Sequence, residues 1–381
     1  RGDMEEEDEE EEDMGHVMCV RGPLPPVEGK WASCIRLVDP KNEETLELVE
    51  LDNGEAALSL CTCVFHSRGG EAFVVVGTAK NMTMHPRTHA GCFLRVYRLL
   101  EKRLQLLHKT EVEDVPLALC EFEGKLLASA GKVLRVYDLG KRKLLRKAET
   151  KALPTLITGV KCTGDRIYVS DLLESMHFVK YRRAEKTLVV FADDESPRLM
   201  TAFCQLDYDT VCGADKFGNV FVLRLPADVS DDVDNPTGSR LLWDAGLLNG
   251  AANKLELLAQ FHVGEVVTSL HRTSLVPGGA EAVLYTTSLG SIGALLPSAT
   301  KEDRDLFTHL EMHMRQEHES LTGRDHTSYR SYFGPVKEVA DGSLCELFSA
   351  LSADAQRAVA ADLDRSPSEV LKKLEDTRNR L

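Results

Sequence analysis

The sequence lacks several of the patterns that mark catalysis, metal binding or membrane insertion. Its 381 residues contain no CxxC pair, no GxxxxGK[ST] phosphate loop and no GxSxG nucleophile elbow. No run of 18 or more apolar residues occurs, so the sequence predicts no transmembrane helix and no membrane partner. These absences argue against zinc-ribbon, P-loop and α/β-hydrolase sites.

The ten cysteines also point away from metal and disulfide chemistry, because most lie singly inside apolar runs. There a free thiol behaves as a small hydrophobic side chain. Cys61 and Cys63 share one face of a predicted strand, but no second ligand pair accompanies them. The pattern favours a reducing intracellular compartment.

Charge is unevenly distributed along the chain. The formal net charge is -15, and the first thirteen residues, which include "EEEDEEEED", carry -9 of it. Such a block repels itself and buries nothing, so we interpret residues 1–29 as an acidic disordered linker. An acidic decoy for a basic partner is the alternative. The chain opens with Arg1 and shows no secretory signal, which suggests a piece of a longer polypeptide.

Five copies of a two-part pattern dominate the middle of the sequence. Each copy has an apolar run that ends in small residues, followed by a second β-rich run. The pairs are "VVVGTAK" with "FLRVYRL", "LLASAGK" with "VLRVYDL", "IYVSDLL" with "MHFVKYR", "TVCGADK" with "NVFVLRL", and "VLYTTSL" with "SIGALLP". Another apolar run precedes each pair, and a more polar strand follows most of them. Four strands per period of roughly 40 residues is typical of a β-propeller blade.

The repeat predicts a mainly β fold, an incomplete WD40-like β-propeller over residues 30–300. The early runs "WASCIRLVD" and "TLELVEL" give half a blade, four complete blades follow, and a fifth has three strands. A propeller closes to hide its strand edges, so we expect strands from outside this chain to complete the ring. An insertion near residues 226–253 predicts an acidic turn and a short helix.

From Thr300 the apolar period changes from 2 to about 3.6, which predicts an α-helical C-terminal domain over residues 301–381. Capping boxes are expected at Thr300, Ser343 and Ser366, and Ser352 is expected to begin a further helix. The predicted helices cover residues 301–319, 343–351, 353–363 and 367–380.

The stretch "GRDHTSYRSYF" contains Asp325, His326 and Ser328, the residue types of a hydrolase triad. Side chains at these spacings rarely converge, because triads draw their members from distant segments. We therefore expect no catalytic residue here, with a hydrolase at His326 as the alternative. Arginine and tyrosine between helices instead favour a polar clasp that docks one domain on another. The interface or docking candidates are Arg324, Asp325, His326, Tyr329, Arg330 and Tyr332.

His309 and His313 lie one helical turn apart, a spacing that can bind zinc. A metalloprotease helix needs a glutamate directly after the first histidine, and Leu310 stands there. We therefore expect neither a metal nor another cofactor.

A cluster of basic residues marks the second complete blade. Residues 132–151 contain eight lysines and arginines, opposed by Asp138 and Glu149. A solvated rim that uses charge to protect strand edges is one interpretation. Contact with RNA phosphates or with an acidic protein is the other. No interleaved aromatic residues support base stacking. The candidate rim contacts are Lys141, Arg142, Lys143, Arg146 and Lys147.

Several long tracts resemble a known family. They are "WASCIRLVDP", "LRVYDLGKRKLLRK", "DYDTVCGADKFGNVFVLRLP", "WDAGLLNGA", "VPGGAEAVLYTTSLGSIGALLP" and "GRDHTSYRSYFGPVKEVADGSLCELF". Over about residues 30–381 the chain resembles the C-terminal third of the splicing factor 3b subunit 3 family. The wider family includes the damaged-DNA-binding ubiquitin-ligase adaptor and the large cleavage and polyadenylation specificity subunit. The tracts "HTSYRSYFGPVKEVADGSLCELF" and "DNPTGSRLLWDAGLLNGAANK" look closer to the splicing branch.

The resemblance implies three propellers and a helical C-terminal domain, with the third propeller built from both ends of the polypeptide. This chain lacks the first two. It also implies a nuclear, non-enzymatic scaffold of the U2 small nuclear ribonucleoprotein. Such a subunit holds a HEAT-repeat subunit and small companion subunits, which grip the branch-site duplex. Direct RNA contact through the basic rim and a ubiquitin-ligase adaptor remain alternatives.

Overall fold

The computed structural model describes residues 32–84, 86–229, 245–246, 250–318 and 323–380. The expected acidic linker 1–29 and most of the insertion near 226–253 lie outside these residues. Within the described ranges the chain forms 23 β-strands followed by helices.

Two antiparallel strands come first, β1 (Cys34–Asp39) and β2 (Glu44–Glu50). Blade 1 follows with β3 (Glu55–Val64), β4 (Ala72–Lys80), β7 (Gly91–Leu100) and β8 (Arg103–Val112). A 3-10 turn (His66–Arg68) and a small hairpin of β5 (Thr83–Met84) and β6 (Arg87–Thr88) connect its strands. The hairpin was not predicted.

The following sheets repeat the four-strand order of blade 1. Blade 2 comprises β9 (Leu119–Phe122), β10 (Lys125–Ala130), β11 (Val133–Leu139) and β12 (Leu144–Thr150). Blade 3 comprises β13 (Ile157–Thr163), β14 (Arg166–Asp171), β15 (Met176–Arg182) and β16 (Thr187–Asp194). Blade 4 comprises β17 (Met200–Gln205), β18 (Thr210–Asp215), β19 (Asn219–Arg224) and β20 (Asn253–His262). The last sheet has β21 (Val267–Thr273), β22 (Ala282–Thr287) and β23 (Ile292–Leu295).

This arrangement confirms the predicted propeller of partial and complete blades. Within each blade the neighbouring strands pair antiparallel in chain order. The first strands of successive sheets, β3, β9, β13, β17 and β21, adjoin one another, as the inner strands of a propeller do. Blades 3 and 4 additionally join into one eight-stranded sheet, because residues 192–194 of β16 pair parallel with residues 253–255 of β20.

The four complete blades share a one-residue bulge in the outer strand. The pairing shifts between Val96 and Tyr97 in blade 1, and the same irregularity recurs at the matching place in blades 2, 3 and 4. A bulge adds local twist and bends the strand. Its recurrence gives each outer strand the same bend as its neighbours.

The hydrophobic core lies between the blades. Each core cluster combines side chains of two neighbouring sheets, so that blade faces stack directly on each other. Between blades 2 and 3, for example, the rings of Phe122 and Tyr181 meet edge to face at 5.5 Å. Burial on both faces explains why the inner strands read as nearly continuous apolar runs.

The chain becomes helical at Lys301, as predicted. The helices are α1 (Lys301–Glu317), α2 (His326–Arg330), α3 (Gly342–Glu346), α4 (Ala353–Asp362) and α5 (Pro367–Arg378), with a 3-10 turn at Leu347–Ala350. The side chains of Leu310, Met314, Phe348 and Val370 form a separate core among them. The short α2 was not predicted.

The N-caps explain where most of these helices begin. Thr300, Ser352 and Ser366 each accept a hydrogen bond from a backbone N–H of the first turn and begin a helix, as predicted. Of the capping boxes expected at Thr300 and Ser366, the one at Ser366 is complete, whereas Thr300 forms only the side-chain cap. The prediction at Ser343 was wrong. Asp341 caps α3 instead, because its carboxylate accepts from the N–H groups of Ser343 and Leu344. The predicted helix 343–351 is therefore α3 and a 3-10 turn.

Candidate interaction sites

Residues 323–341, which we call the junction segment, connect the helices to blade 4. Asp325 caps α2 by accepting from the N–H of Ser328 at 3.0 Å. The helix ends at Arg330, and the chain then pairs at one point with β20 before it reaches Asp341. This short helix brings two of the predicted docking residues, Tyr329 and Arg330, against the propeller.

Arg330 spans the junction between α3 and β20. Its Nε and Nη2 atoms each lie 2.7 Å from Asp341 Oδ2. Its Nη1 donates to the carbonyl oxygens of His262 and Val263, at 3.0 and 3.1 Å. The guanidinium also lies 4.7 Å from the ring centre of Phe261. One side chain therefore ties the cap of a helix to the end of a propeller strand.

His326 lies in a buried cluster of charged groups. Its Nε2 is 3.2 Å from Asp341 Oδ2 and 3.8 Å from Glu311 Oε1. Both carboxylates are only 4% exposed, and Arg315 donates to Glu311 at 2.7 Å. Burial lowers the pKa of His326, although the charges of Asp341 and Glu311 act in the opposite direction. The ring joins residues of α1, α2 and the α3 cap.

This geometry does not form a hydrolase triad. Within the described part of the chain, His326 makes no hydrogen bond to a serine. Ser328 Oγ instead donates to Asp325 Oδ2 at 3.4 Å, and the same carboxylate caps α2. A triad requires the serine and the acid on opposite sides of the imidazole.

The junction segment also pairs with the propeller through its backbone. Lys337 and Gln260 form an isolated antiparallel bridge with N···O distances of 2.9 and 3.0 Å. Lys337 Nζ donates to the Leu257 carbonyl at 2.5 Å, and Gln260 Nε2 to the Pro335 carbonyl at 3.4 Å. Because β20 is the outer strand of blade 4, the bridge covers part of a sheet edge.

Three exposed aromatic side chains meet beside these contacts, and we call them the aromatic trio. Phe217, Tyr332 and Phe333 are 43%, 54% and 50% exposed. Phe333 lies 4.8 Å from Phe217, which sits in the turn between β18 and β19, and 4.7 Å from Tyr332. The guanidinium of Arg324, another predicted candidate, lies 5.0 Å from the Tyr332 ring. Contiguous exposed aromatics are typical of interaction surfaces.

The predicted basic rim lies on the hairpin of β11 and β12. Lys141, Arg142 and Lys143 form its exposed turn, closed by a hydrogen bond from Gly140 N to Lys143 O at 3.1 Å. Arg146 pairs with Glu149 at 2.9 Å and Lys147 lies 3.7 Å from Asp138, so these two cations are partly neutralised.

Arg135, counted among the eight basic residues of this stretch, does not belong to the surface. It is buried and pairs with Glu113 and Glu149. Both faces of β11 are covered, since Leu134 and Val136 on the opposite face are buried as well, and a count of charges does not reveal this.

The two histidines of α1 do not form a metal site with their neighbours. His309 is exposed, and His313 Nδ1 lies 3.8 Å from Asp362. Across the described ranges, no three histidine, cysteine, aspartate or glutamate side chains are grouped as metal ligands would be. The helices described here also include none with the length and apolarity needed to cross a bilayer.

Comparison with known proteins places the chain in a family. The sequence model of the family described as "CPSF A subunit region" matches residues 32–350. The chain belongs to this family. The match takes in all the blades, α1 and the junction segment, and it ends at the 3-10 turn before α4.

Individual relatives are similar to this chain over most of its length. The chain is 52% identical over 355 residues to "Splicing factor 3B subunit 3" of Danio rerio, covering 92% of this chain and 29% of that protein. It is 53% identical over 357 residues to "Spliceosome-associated protein 130 A" of Arabidopsis thaliana, again covering 92% and 29%. The chain therefore spans less than a third of the length of these relatives.

Two residues that contact His326 in this CPSF A family chain, Asp341 and Glu311, were not predicted from the sequence. Asp341 could have been recognised, because aspartate is a preferred N-cap and stands directly before "GSLCEL". Glu311 gave no such signal. It lies on α1, and only the packing of the helices brings it near His326.

Proposed function

We propose that the chain is part of a non-enzymatic scaffold subunit of the splicing factor 3b complex, in the U2 small nuclear ribonucleoprotein of the nucleus. The identity of about half over 92% of the chain to proteins named for splicing carries this proposal. The contacts at His326, which are those of a structural ion cluster, agree with a role that needs no cofactor.

In this role the propeller supplies a rigid support for other subunits. Stacked blades bury a continuous core, and binding residues concentrate on the loops of such scaffolds. We propose that a HEAT-repeat subunit and small companion subunits bind here, and that the scaffold supports branch-site recognition through these protein contacts. The open sheets at β1–β2 and β21–β23 favour completion of the ring by the rest of the same polypeptide.

The junction segment has two roles in the proposal. Arg330 and Tyr329 hold residues 301–380 against blade 4 as a docked helical domain, and His326 joins α1 to the cap of α3 within that domain. The aromatic trio, which faces solvent beside this clasp, contacts a partner subunit. Buried aromatics commonly dominate the binding energy of such interfaces, because they bring large apolar area at low entropic cost.

Affinity purification of the full-length protein from nuclear extract tests the assignment to the splicing factor 3b complex and the role of the aromatic trio as an interface. We expect HEAT-repeat splicing subunits in the eluate, and recovery of cullin ligase components in their place would contradict the assignment. Tyr332→Ser with Phe333→Ser should weaken the recovery of partners. Leu99→Ser with Leu100→Ser is the matched control, since both leucines are 42% exposed on blade 1. Equal effects of the two pairs would refute the interface.

Direct RNA contact through the basic rim is the second candidate. Its support is the exposed turn of Lys141, Arg142 and Lys143, which can neutralise phosphates. Replacing these three residues with glutamate should abolish crosslinking to RNA. Unchanged crosslinking would eliminate this candidate. The ubiquitin-ligase adaptor alternative is less favoured, because the relatives compared above carry splicing names.

A further inference from the structure

A cavity of about 230 Å³ lies at the outer seam between blades 1 and 2, and we call it the seam pocket. Its walls come from the 3-10 turn and strands of blade 1 and from the β11–β12 turn of blade 2. The lining residues are Arg68, Glu71, Phe73, Arg98, Leu107, His108, Leu139, Gly140 and Lys141.

The walls of the seam pocket are held together across the blades. Arg68 Nη2 donates to the carbonyl of Gly140 at 3.1 Å. Next to it, Ser67 Oγ donates to Asp138 Oδ1 at 2.8 Å. These contacts join the 3-10 turn of blade 1 to the β11–β12 turn of blade 2. The walls of the seam pocket are therefore held in place by the protein itself.

The lining is strongly cationic. Arg68, Arg98 and Lys141 face one carboxylate, Glu71, which leaves a formal charge of +2. Glu71 is already paired with Arg98. Lys141 is exposed at the mouth, and no carboxylate of the described ranges lies within ion-pair distance of it. Cations gathered in a concave site raise the local concentration of anions.

His108 adds an unsatisfied polar group to the same wall. Neither ring nitrogen has a hydrogen-bond partner among the described residues, although both are buried. Buried polar groups are nearly always paired, so these two nitrogens are available to a ligand that enters the pocket. Burial and the charge of Arg68 lower the pKa of His108 and so favour the neutral ring, which can donate one hydrogen bond.

We propose that the seam pocket binds a phosphomonoester dianion, carried by a phosphoserine side chain of a partner protein. A dianion matches the lining charge, and its three free oxygens can accept from arginine, lysine and histidine donors. A nucleic-acid strand fits less well. Its bases would need exposed aromatic rings to stack on, and Phe73, the aromatic ring other than His108 in the lining, is only 2% exposed.

Calorimetric titration of the full chain with O-phospho-L-serine tests the proposal, with L-serine at equal ionic strength as the ligand control. We expect binding of phosphoserine only. Lys141→Gln should weaken it about tenfold, and Arg68→Gln with Lys141→Gln about a hundredfold, since each charge-assisted hydrogen bond contributes roughly one power of ten. Lys141 is exposed in a turn, so its substitution does not threaten folding.

Arg142→Gln with Lys143→Gln is the matched control, because it removes two positive charges, as Arg68→Gln with Lys141→Gln does, from the turn that carries Lys141 and leaves the lining intact. Affinity retained in this pair and lost in the other supports the pocket. Equal weakening by both pairs would reduce the effect to general surface charge and overturn the proposal. The proposal would also be overturned if a single-stranded RNA without terminal phosphates bound the chain and lost affinity equally in both double variants. The outcome is independent of the proposed splicing role.

Discussion

Replacing Arg330 with alanine should release the helices from blade 4. The side chain is 17% exposed, and it neutralises Asp341, which is only 4% exposed. Breaking a buried ion pair by removing one partner typically costs 3–5 kcal/mol, since the remaining charge stays buried. Asp341 keeps its hydrogen bonds from the N–H groups of Ser343 and Leu344. We therefore expect the lower end, about 3 kcal/mol.

Hydrogen–deuterium exchange measures this loss locally. A cost of 3 kcal/mol corresponds to roughly 150-fold faster opening. The amides of Cys345 and Lys337 should report it, since they bond to the carbonyls of Asp341 and Gln260 on the two sides of the junction. Arg324→Ala is the matched control in the same segment. Its guanidinium lies over an exposed tyrosine ring, so we expect a change below about 1 kcal/mol.

A double variant separates the buried charge from the lost contacts. Arg330→Met with Asp341→Asn removes both charges and keeps the cap of α3, because asparagine is as good an N-cap as aspartate. It should restore most of the exchange protection. The reasoning is refuted if Arg330→Ala leaves exchange across residues 323–380 unchanged, or if Arg324→Ala accelerates it equally.

Three further substitutions test other parts of the structure. Gly264→Ala should cost about 1–3 kcal/mol, because a Cβ there would lie 1.9 Å from the Tyr329 hydroxyl at φ +99°. Gly278→Ala is the control, because Gly278 has φ +79° but open space around it, and it should cost only about 1 kcal/mol. If urea unfolding gave the same loss of stability for both glycine variants, the contact with Tyr329 would not matter. Phe348→Ala empties a fully buried site and should cost about 3–5 kcal/mol, read from the same unfolding curves. The wild-type chain should lose free energy of unfolding as the pH falls below 6.5, because the pKa of His326 is lowered in the folded state and the unfolded chain takes up the proton first. His326→Gln should reduce this loss. An unchanged dependence of the free energy of unfolding on pH would contradict the prediction.

The repeat was predictable because propeller blades are local in sequence. Alternating apolar residues, small residues at strand ends and polar outer strands fix each blade within about 40 residues. The recurring outer-strand bulge was not predictable in this way. Leu107, the extra residue in blade 1, forms an apolar doublet with Leu106 that does not by itself identify a bulge, and only the pairing of Val96 with His108 and Tyr97 with Leu106 reveals it.

The site was predictable as a segment but not as a set of contacts. The residue types of "GRDHTSYRSYF" indicated a polar clasp, and the packing then divided them. Arg330 reaches the propeller, Asp325 caps its own helix, and Arg324 faces solvent. Which of several similar side chains is buried depends on the angle between helix and sheet, and local sequence does not encode that angle.

The sequence by itself determined the blades, most helix caps and the family, since strand period, N-cap chemistry and long motifs act over a few neighbouring residues. The tertiary structure alone decided the partners of Arg330, the carboxylates around His326 and the walls of the seam pocket. Arg330 and the carbonyl of His262 are 68 residues apart, and Arg68 and Gly140 are 72 apart. Such contacts exist only after whole blades and helices have packed, because the hydrophobic burial that brings them together is not specific to the polar groups it encloses.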